Sequence, residues 1–394
     1  MSAARTAGLV AALLATLAAG LWIGGHPGTM PPPLRDLFVD DSAGLTAEAT
    51  ELIEGNYYRP VDDGRLADAS MRGMVRDLRR RHGDRFSEYL SAPMLTRFNE
   101  EIDGRFSGIG LSVVPVRHGL RVVEVFEPSP AAEAGIEAGE TVVSVDGRSI
   151  AGLESEAATA RIKGPQGSEV TVGVRRAPGG EVRRLKLTRA EIEVPVVSAK
   201  VRTVDGTKLG YLRLAAFSSG AHGAVSDAVR RLQRRGVEGL VLDLRANGGG
   251  LLDEAVRTAS VFLPEGEVVV ETRSRTQGRT VHETRGGNLP PLPIAVLIDR
   301  GTASAAEILA AALADNAGAV LVGGRSFGKG VFQQEIGLSN GGALKLTVGE
   351  YFTPEGVNLA DNGIRPDLRA RDVPGTAPDE ALERALSALA TPQK

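Results

Sequence analysis

Cysteine is absent from the 394 residues, which removes disulfides, thiolate metal sites and a cysteine nucleophile together. Its absence leaves the compartment open. Histidine is nearly as scarce, with five residues at positions 26, 82, 118, 222 and 282 and no pair at a metal-ligand spacing. Neither a zinc site nor any other cofactor is expected, and a Ser-His-Asp triad has few candidates. Charge of one sign is also missing: 46 Lys and Arg face 49 Asp and Glu, for a net charge of −3. That balance supplies neither the basic field of a nucleic-acid binder nor an acidic solvating tail. What is present is an ordinary globular composition, 42% hydrophobic and 24% charged, with length for two or three domains.

The N-terminus speaks to location. Arg5 precedes an uncharged run from Thr6 to Pro33 whose dense apolar part is Ala7 to Gly25. Two readings stay open, a membrane anchor and a cleaved secretory signal, with Leu17-Ala18-Ala19-Gly20 as the small-residue stretch that favours the second. Either one, with Arg5 on the cytoplasmic side, places the rest of the chain outside the cytoplasm, membrane-anchored, periplasmic or secreted. Beyond the Pro31-Pro32-Pro33 breaker, residues 35–102 read as a small helical domain, with Ala67 to Arg81 as its clearest helix. From 103 to 190 the pattern becomes short alternating strands, Leu111 to Val116, Arg121 to Phe126 and Thr141 to Val145, separated by Gly, Pro and Asp-Gly turns. From 191 to 375 apolar strand runs (Leu209 to Leu214, Leu240 to Leu244, Ile294 to Ile298) alternate with helical stretches (Ala221 to Arg235, Leu251 to Phe262, Ala305 to Ala314). This predicts an α/β layer domain with buried strands. Residues 376–394 form a tail, with Asp379 to Ala390 as a short amphipathic helix or a frayed end. The expected fold class is therefore multidomain α+β.

The stretch richest in chemistry runs from strand Ile294 to Ile298 through Asp299-Arg300-Gly301-Thr302-Ala303 into Ser304 and the helical Ala305-Ala306-Glu307-Ile308. It sets Ser304 at a helix N-terminus, where free N–H groups and the helix dipole favour developing negative charge. A serine in that place is ordinarily only an N-cap, so the context has to decide. A second glycine-rich segment, Gly323-Gly324-Arg325-Ser326-Phe327-Gly328-Lys329-Gly330, carries a lysine between two glycines. Desolvated among backbone, a lysine amine becomes neutral and able to accept a proton, in place of histidine. A phosphate loop is the competing reading, but no Ser or Thr follows Lys329 and no helix-forming run begins there.

Together these motifs resemble the C-terminal-processing, or tail-specific, serine peptidases. Gly301-Thr302-Ala303-Ser304 matches that family's nucleophile motif, Gly328-Lys329-Gly330 its lysine motif, and Gln333 the glutamine that follows. Leu242-Asp243-Leu244-Arg245-Ala246-Asn247-Gly248-Gly249-Gly250 matches a further segment, as do Tyr351 to Gly356 and Gly363 to Asp367. Ala306 departs from the pattern, since many members carry serine there. The resemblance implies a Ser304 nucleophile, a Lys329 general base and a Gln333 that orients the lysine. It implies an oxyanion hole of the Ala305 N–H with one from Gly249 or Gly250, and a catalytic domain similar in layout to the crotonase and ClpP-like folds. Glu307 reads either as part of the polar network around Ser304 or as compensation of the helix dipole, and Asp243 and Arg245 as structural residues.

The 103–190 segment resembles a PDZ domain, with Gly108, Ile109, Gly110 and Leu111 as the carboxylate-binding loop. The expected partners are proteins or peptides with accessible C-termini, the membrane through the N-terminal segment, and either a second copy, contacted in part by the helical segment, or a regulatory partner. Lys163 reads either as a link between PDZ and catalytic domains or as a solvated lysine. Two other functions stay open, a catalytically dead PDZ adaptor and a crotonase-like acyl-CoA enzyme.

Overall fold

A computed structural model describes residues 41–177, 179–287, 289–370 and 379–390, together with residue 16. The anchor or signal expected within residues 6–33 lies outside the described residues apart from residue 16. No helix among the described residues is long and apolar enough to cross a membrane.

The chain divides into two compact units, Met1–Ser91 and Ala92–Lys394. The first contains the helices Asp41–Asn56 and Asp63–His82. The second of these starts where Asp62 accepts the Arg65 N–H (2.9 Å) and stops at Gly83, whose φ of 65° ends the helical path. The helix Ala92–Asp103, expected within the helical domain, falls in the second unit.

Within the second unit, a sheet of five main strands runs in the order Leu111–Val116, Gly119–Val125, Thr141–Val145, Glu169–Arg175 and Val182–Thr188. Ile109, Leu120, Val122, Val142, Val172 and Val174 close its core beneath the helix Ser155–Ile162. Leu111–Val116 is an edge strand of this sheet.

The larger layer is a six-stranded sheet in the order Val197–Val204, Thr207–Leu214, Gly239–Asp243, Ile294–Ile298, Val320–Gly323 and Leu368–Arg369. Its first pair is antiparallel and the others are parallel. Every residue of Gly239–Asp243 and Ile294–Ile298 is buried, as a parallel sheet covered on both faces requires. Alternation along the strands divides them: Leu240, Leu242, Val296 and Ile298 join the core under the helices Ala221–Arg234, Leu252–Phe262 and Ala305–Ala317, whereas Val241, Ala295 and Leu297 face the other side. That other side is covered by Ala381, Ala385 and Leu386 of the helix Glu380–Ala390. Of the two readings of Asp379 to Ala390, the helix is the one that forms, over Glu380–Ala390, and it packs on the core. Asp379 fastens its start through a two-armed ion pair with Arg245 (2.9 Å for each arm), which also grips Asp243 (2.7 Å).

Four further strands, Val268–Ser274, Gly278–Glu283, Val331–Gly337 and Ala343–Phe352, pair antiparallel. They bring the segment after Lys329 against Tyr351.

Candidate active site

Ser304 stands between the buried strand Ile294–Ile298 and the helix Ala305–Ala317, and its backbone is not that of a simple cap. Its φ is 55° and its ψ −121°, where an N-cap is normally extended. A non-glycine residue held there stores strain, and such strain collects at functional sites. The turn before it is braced from several directions. Asp299 Oδ1 accepts the N–H groups of Ala246 (2.9 Å) and Gly301 (2.8 Å), the buried Thr302 hydroxyl donates to Leu244 O (2.8 Å), and the Ala303 N–H donates to Asn247 O (2.9 Å). A Cβ on Gly301 would lie 2.7 Å from Ala246 Cα, so only glycine lets the two motifs approach this closely.

The Leu242–Gly250 motif is thereby laid directly against the serine. A Cβ on Gly249 would fall 2.8 Å from Ser304 Cβ and 3.0 Å from the Ala305 nitrogen. The two candidate glycines differ in their N–H groups: that of Gly249 donates to the buried Asn247 Oδ1 (2.9 Å), whereas no hydrogen bond within the described residues occupies that of Gly250. The Ala305 N–H is likewise unoccupied.

Glu307 joins the serine to the lysine. The Ser304 N–H (2.9 Å) and the Lys329 N–H (3.0 Å) both donate to its Oε2, while the Gly328 N–H (2.8 Å) and the Ser326 hydroxyl donate to its Oε1. Its side chain is fully buried. Four donors match the acceptor sites of an ionised carboxylate. The sharing of one oxygen by Ser304 and Lys329 sets their main chains side by side, although 25 residues separate them in sequence. Gly330 packs just as tightly, since a Cβ there would meet Ala360 N at 2.5 Å. Lys329 itself is half-buried. Gln333, four residues on, donates from Nε2 to Thr347 Oγ1 (3.2 Å), leaving its side-chain oxygen as the acceptor end.

Glu307 is therefore more than a dipole partner. Its spacing from Ser304, three residues in a Ser-x-x-Glu pattern, was the available signal, but nothing in the sequence names the distant donors Ser326, Gly328 and Lys329. Replacing Glu307 by alanine is expected to strand those buried donors, lower unfolding free energy by about 3 kcal/mol and depress activity. Denaturant titration and a cleavage assay check both; unchanged values in each would show that the carboxylate holds nothing together.

The histidines lead elsewhere. His222 Nδ1 lies 2.9 Å from Glu254 Oε2, and His282 Nε2 lies 3.1 Å from Thr272 Oγ1. Both line one cavity of about 490 Å³ together with Arg230, Arg257 and Arg285, a cavity that includes neither Ser304 nor Lys329.

In the smaller domain, Ile109 is buried in the core, Gly110 has a φ of 86°, and their carbonyls accept the N–H groups of Ala131 (2.9 Å) and Phe126 (3.0 Å). The hydrogen bonds of this turn leave the N–H groups of Ile109 and Gly110 unused. The turn feeds directly into Leu111 and the edge strand that follows it. Lys163 pairs with Glu100 and lies over the Phe106 ring, 5.0 Å from its centroid.

Comparison with known proteins identifies the family. The model of peptidase family S41 matches residues 208–370, and a PDZ domain model matches residues 107–188. The carboxy-terminal processing protease CtpA of Bacillus subtilis is 31% identical over 323 residues, 82% of this chain and 68% of that protein. The carboxy-terminal-processing protease of Bartonella bacilliformis is 35% identical over 324 residues, 81% of this chain and 72% of that protein. The chain belongs to peptidase family S41. Among solved structures, the photosystem II D1 C-terminal processing protease is similar with a TM-score of 0.51 and 29% identity, over 90% of this chain and 98% of that one. The S41 model spans Ser304, Lys329 and Gln333, and the PDZ model begins at Ser107, next to the loop expected to bind peptide. The S41 fold and its PDZ module are thus those that the resemblance implied.

Proposed function

We propose that this S41 chain is a serine endopeptidase in which Ser304 attacks the peptide carbonyl and Lys329 takes its proton. The observation that carries the reading is the single Glu307 oxygen that accepts both the Ser304 and the Lys329 N–H, because it fixes nucleophile and base loops against each other before substrate arrives. The Gln333 side-chain oxygen accepts from the lysine amine and orients its lone pair. The oxyanion is received by the Ala305 N–H and, of the two glycines, by Gly250, whose N–H is not engaged as that of Gly249 is. No cofactor enters the scheme. The division into a helical segment at 35–102, a PDZ domain at 103–190 and a peptidase domain at 191–375, and an extracytoplasmic location at the membrane or beyond it, belong to the same proposal.

The PDZ domain selects substrates by their free C-terminus. The unused N–H groups of Ile109 and Gly110 receive the carboxylate, and the edge strand Leu111–Val116 pairs with the tail. A flexible protein ending in small apolar residues is incubated with residues 35–394, and the cleavage points are read by mass spectrometry. Cleavage at or upstream of the tail is expected. The same chain with an amidated end should be cut about tenfold more slowly, the equivalent of about 1.4 kcal/mol of lost carboxylate recognition. Equal rates for the two ends would remove the tail-recognition reading, and no cleavage of either would remove the peptidase.

A further inference from the structure

Tyr351 is the residue of the site that no sequence argument gave a role. Its side chain is 2% exposed, and its hydroxyl completes no hydrogen bond of normal geometry. A buried hydroxyl without a partner is costly, so its retention next to a strained serine calls for a use. The Ser304 side chain is close enough to the hydroxyl to bear on its titration. The backbone on the same residue donates to Gly330 O (3.1 Å), beside the lysine, and Tyr351 belongs to the core that also contains Ala305 and Ala306. Glu307, a second polar group nearby, has its acceptor positions filled: each of its oxygens already takes two donors. Ser304 Oγ is the acceptor that remains.

We propose that the Tyr351 hydroxyl donates a hydrogen bond to Ser304 Oγ during catalysis, fixing the direction in which the serine gives up its own proton. This rests on the Ser304 and Lys329 assignment above. With Tyr351 occupying an acceptor position of Oγ, the serine O–H is turned toward Lys329. As the Oγ lone pair bonds to the substrate carbonyl carbon, the Ser304 proton passes to the lysine nitrogen lone pair, and the carbonyl π pair moves onto its oxygen. The phenol keeps its own proton throughout and stabilises the negative charge that builds on Oγ. Burial, and then the charge of Glu307, hold the Tyr351 hydroxyl well above the usual phenol range, so a donor is present at any working pH. A hydrogen bond that is open in the resting enzyme and closes with substrate is common at catalytic centres.

The test is Tyr351→Phe, which removes one oxygen, measured beside the parent and Ser304→Ala. A kcat lowered about tenfold or more, with KM unchanged and the denaturation midpoint equal or higher, is the expected result. The stability readout separates this from a structural role: losing an unpartnered buried hydroxyl should not destabilise, whereas losing a structural hydrogen bond should. Parental kcat in Tyr351→Phe with an inactive Ser304→Ala would overturn the tyrosine proposal and leave the dyad standing. A kcat that falls together with the midpoint would also overturn it, in favour of a packing role. Activity in Ser304→Ala would overturn the dyad and the tyrosine proposal with it.

Discussion

Ser304→Ala should give a folded protein whose peptidase rate is reduced on the order of 10⁴-fold or more, the scale seen when a nucleophile is deleted from an otherwise complete acyl-transfer site. The substitution keeps Cβ, which lies against Gly249, and keeps the N–H that donates to Glu307 (2.9 Å). The braces on the preceding turn come from Asp299, Thr302 and Ala303 and do not involve Oγ. Alanine must still hold the positive φ of 55°, as serine does, so the strain is carried over and not added. Circular dichroism and the denaturation midpoint should therefore match the parent while cleavage of an unfolded protein substrate is lost. Cleavage at the parental rate by the purified variant would show that another residue is the nucleophile.

Lys329→Arg should be as inactive as Lys329→Ala. Both variants retain the main-chain N–H that donates to Glu307 (3.0 Å), so the loop between Gly328 and Gly330 keeps its anchor, and what changes is the proton acceptor. An amine offers a lone pair once neutral; a guanidinium stays charged and has no acceptor atom. A loss on the order of 10⁴-fold is expected for either variant. In the parent, kcat/KM should rise with pH as the neutral amine becomes populated, and then level off. If the arginine variant retained activity, a residue other than Lys329 would be the base, and His222→Ala and His282→Ala would test the two histidines. Their hydrogen bonds to Glu254 and Thr272 already commit both to another cavity.

How much of this was legible beforehand depends on whether a feature is local. The strands Leu111–Val116, Thr141–Val145 and Ile294–Ile298 have the bounds read from the sequence, because alternation or an unbroken apolar run bounded by turn residues records burial on one face or both. The antiparallel strands at 268–283 and 331–352 were not read, apart from the start of the one after Lys329. Gly278–Glu283 is almost wholly exposed and Val331–Gly337 largely so, and an exposed ribbon carries no apolar period to detect. The helix Glu380–Ala390 had an apolar stripe, but its length alone could not say whether that stripe met a partner; Leu209, Tyr211 and Val241, more than 130 residues earlier, supply it.

The sequence by itself determined that a serine begins a helix after a buried strand, that a lysine sits between glycines 25 residues later, that a β-rich module precedes them, and which family shares those motifs. Each depends on neighbours along the chain, where spacing and residue type suffice. Only the tertiary structure decided that Glu307 joins the two motifs, that Asn247 occupies the Gly249 N–H and not that of Gly250, and that Tyr351 buries a hydroxyl without a partner in the core that holds Ala305. Those are contacts across strands and loops distant in sequence. A hydrogen bond needs donor and acceptor within about 3 Å and in line, and that geometry is fixed by how the layers pack.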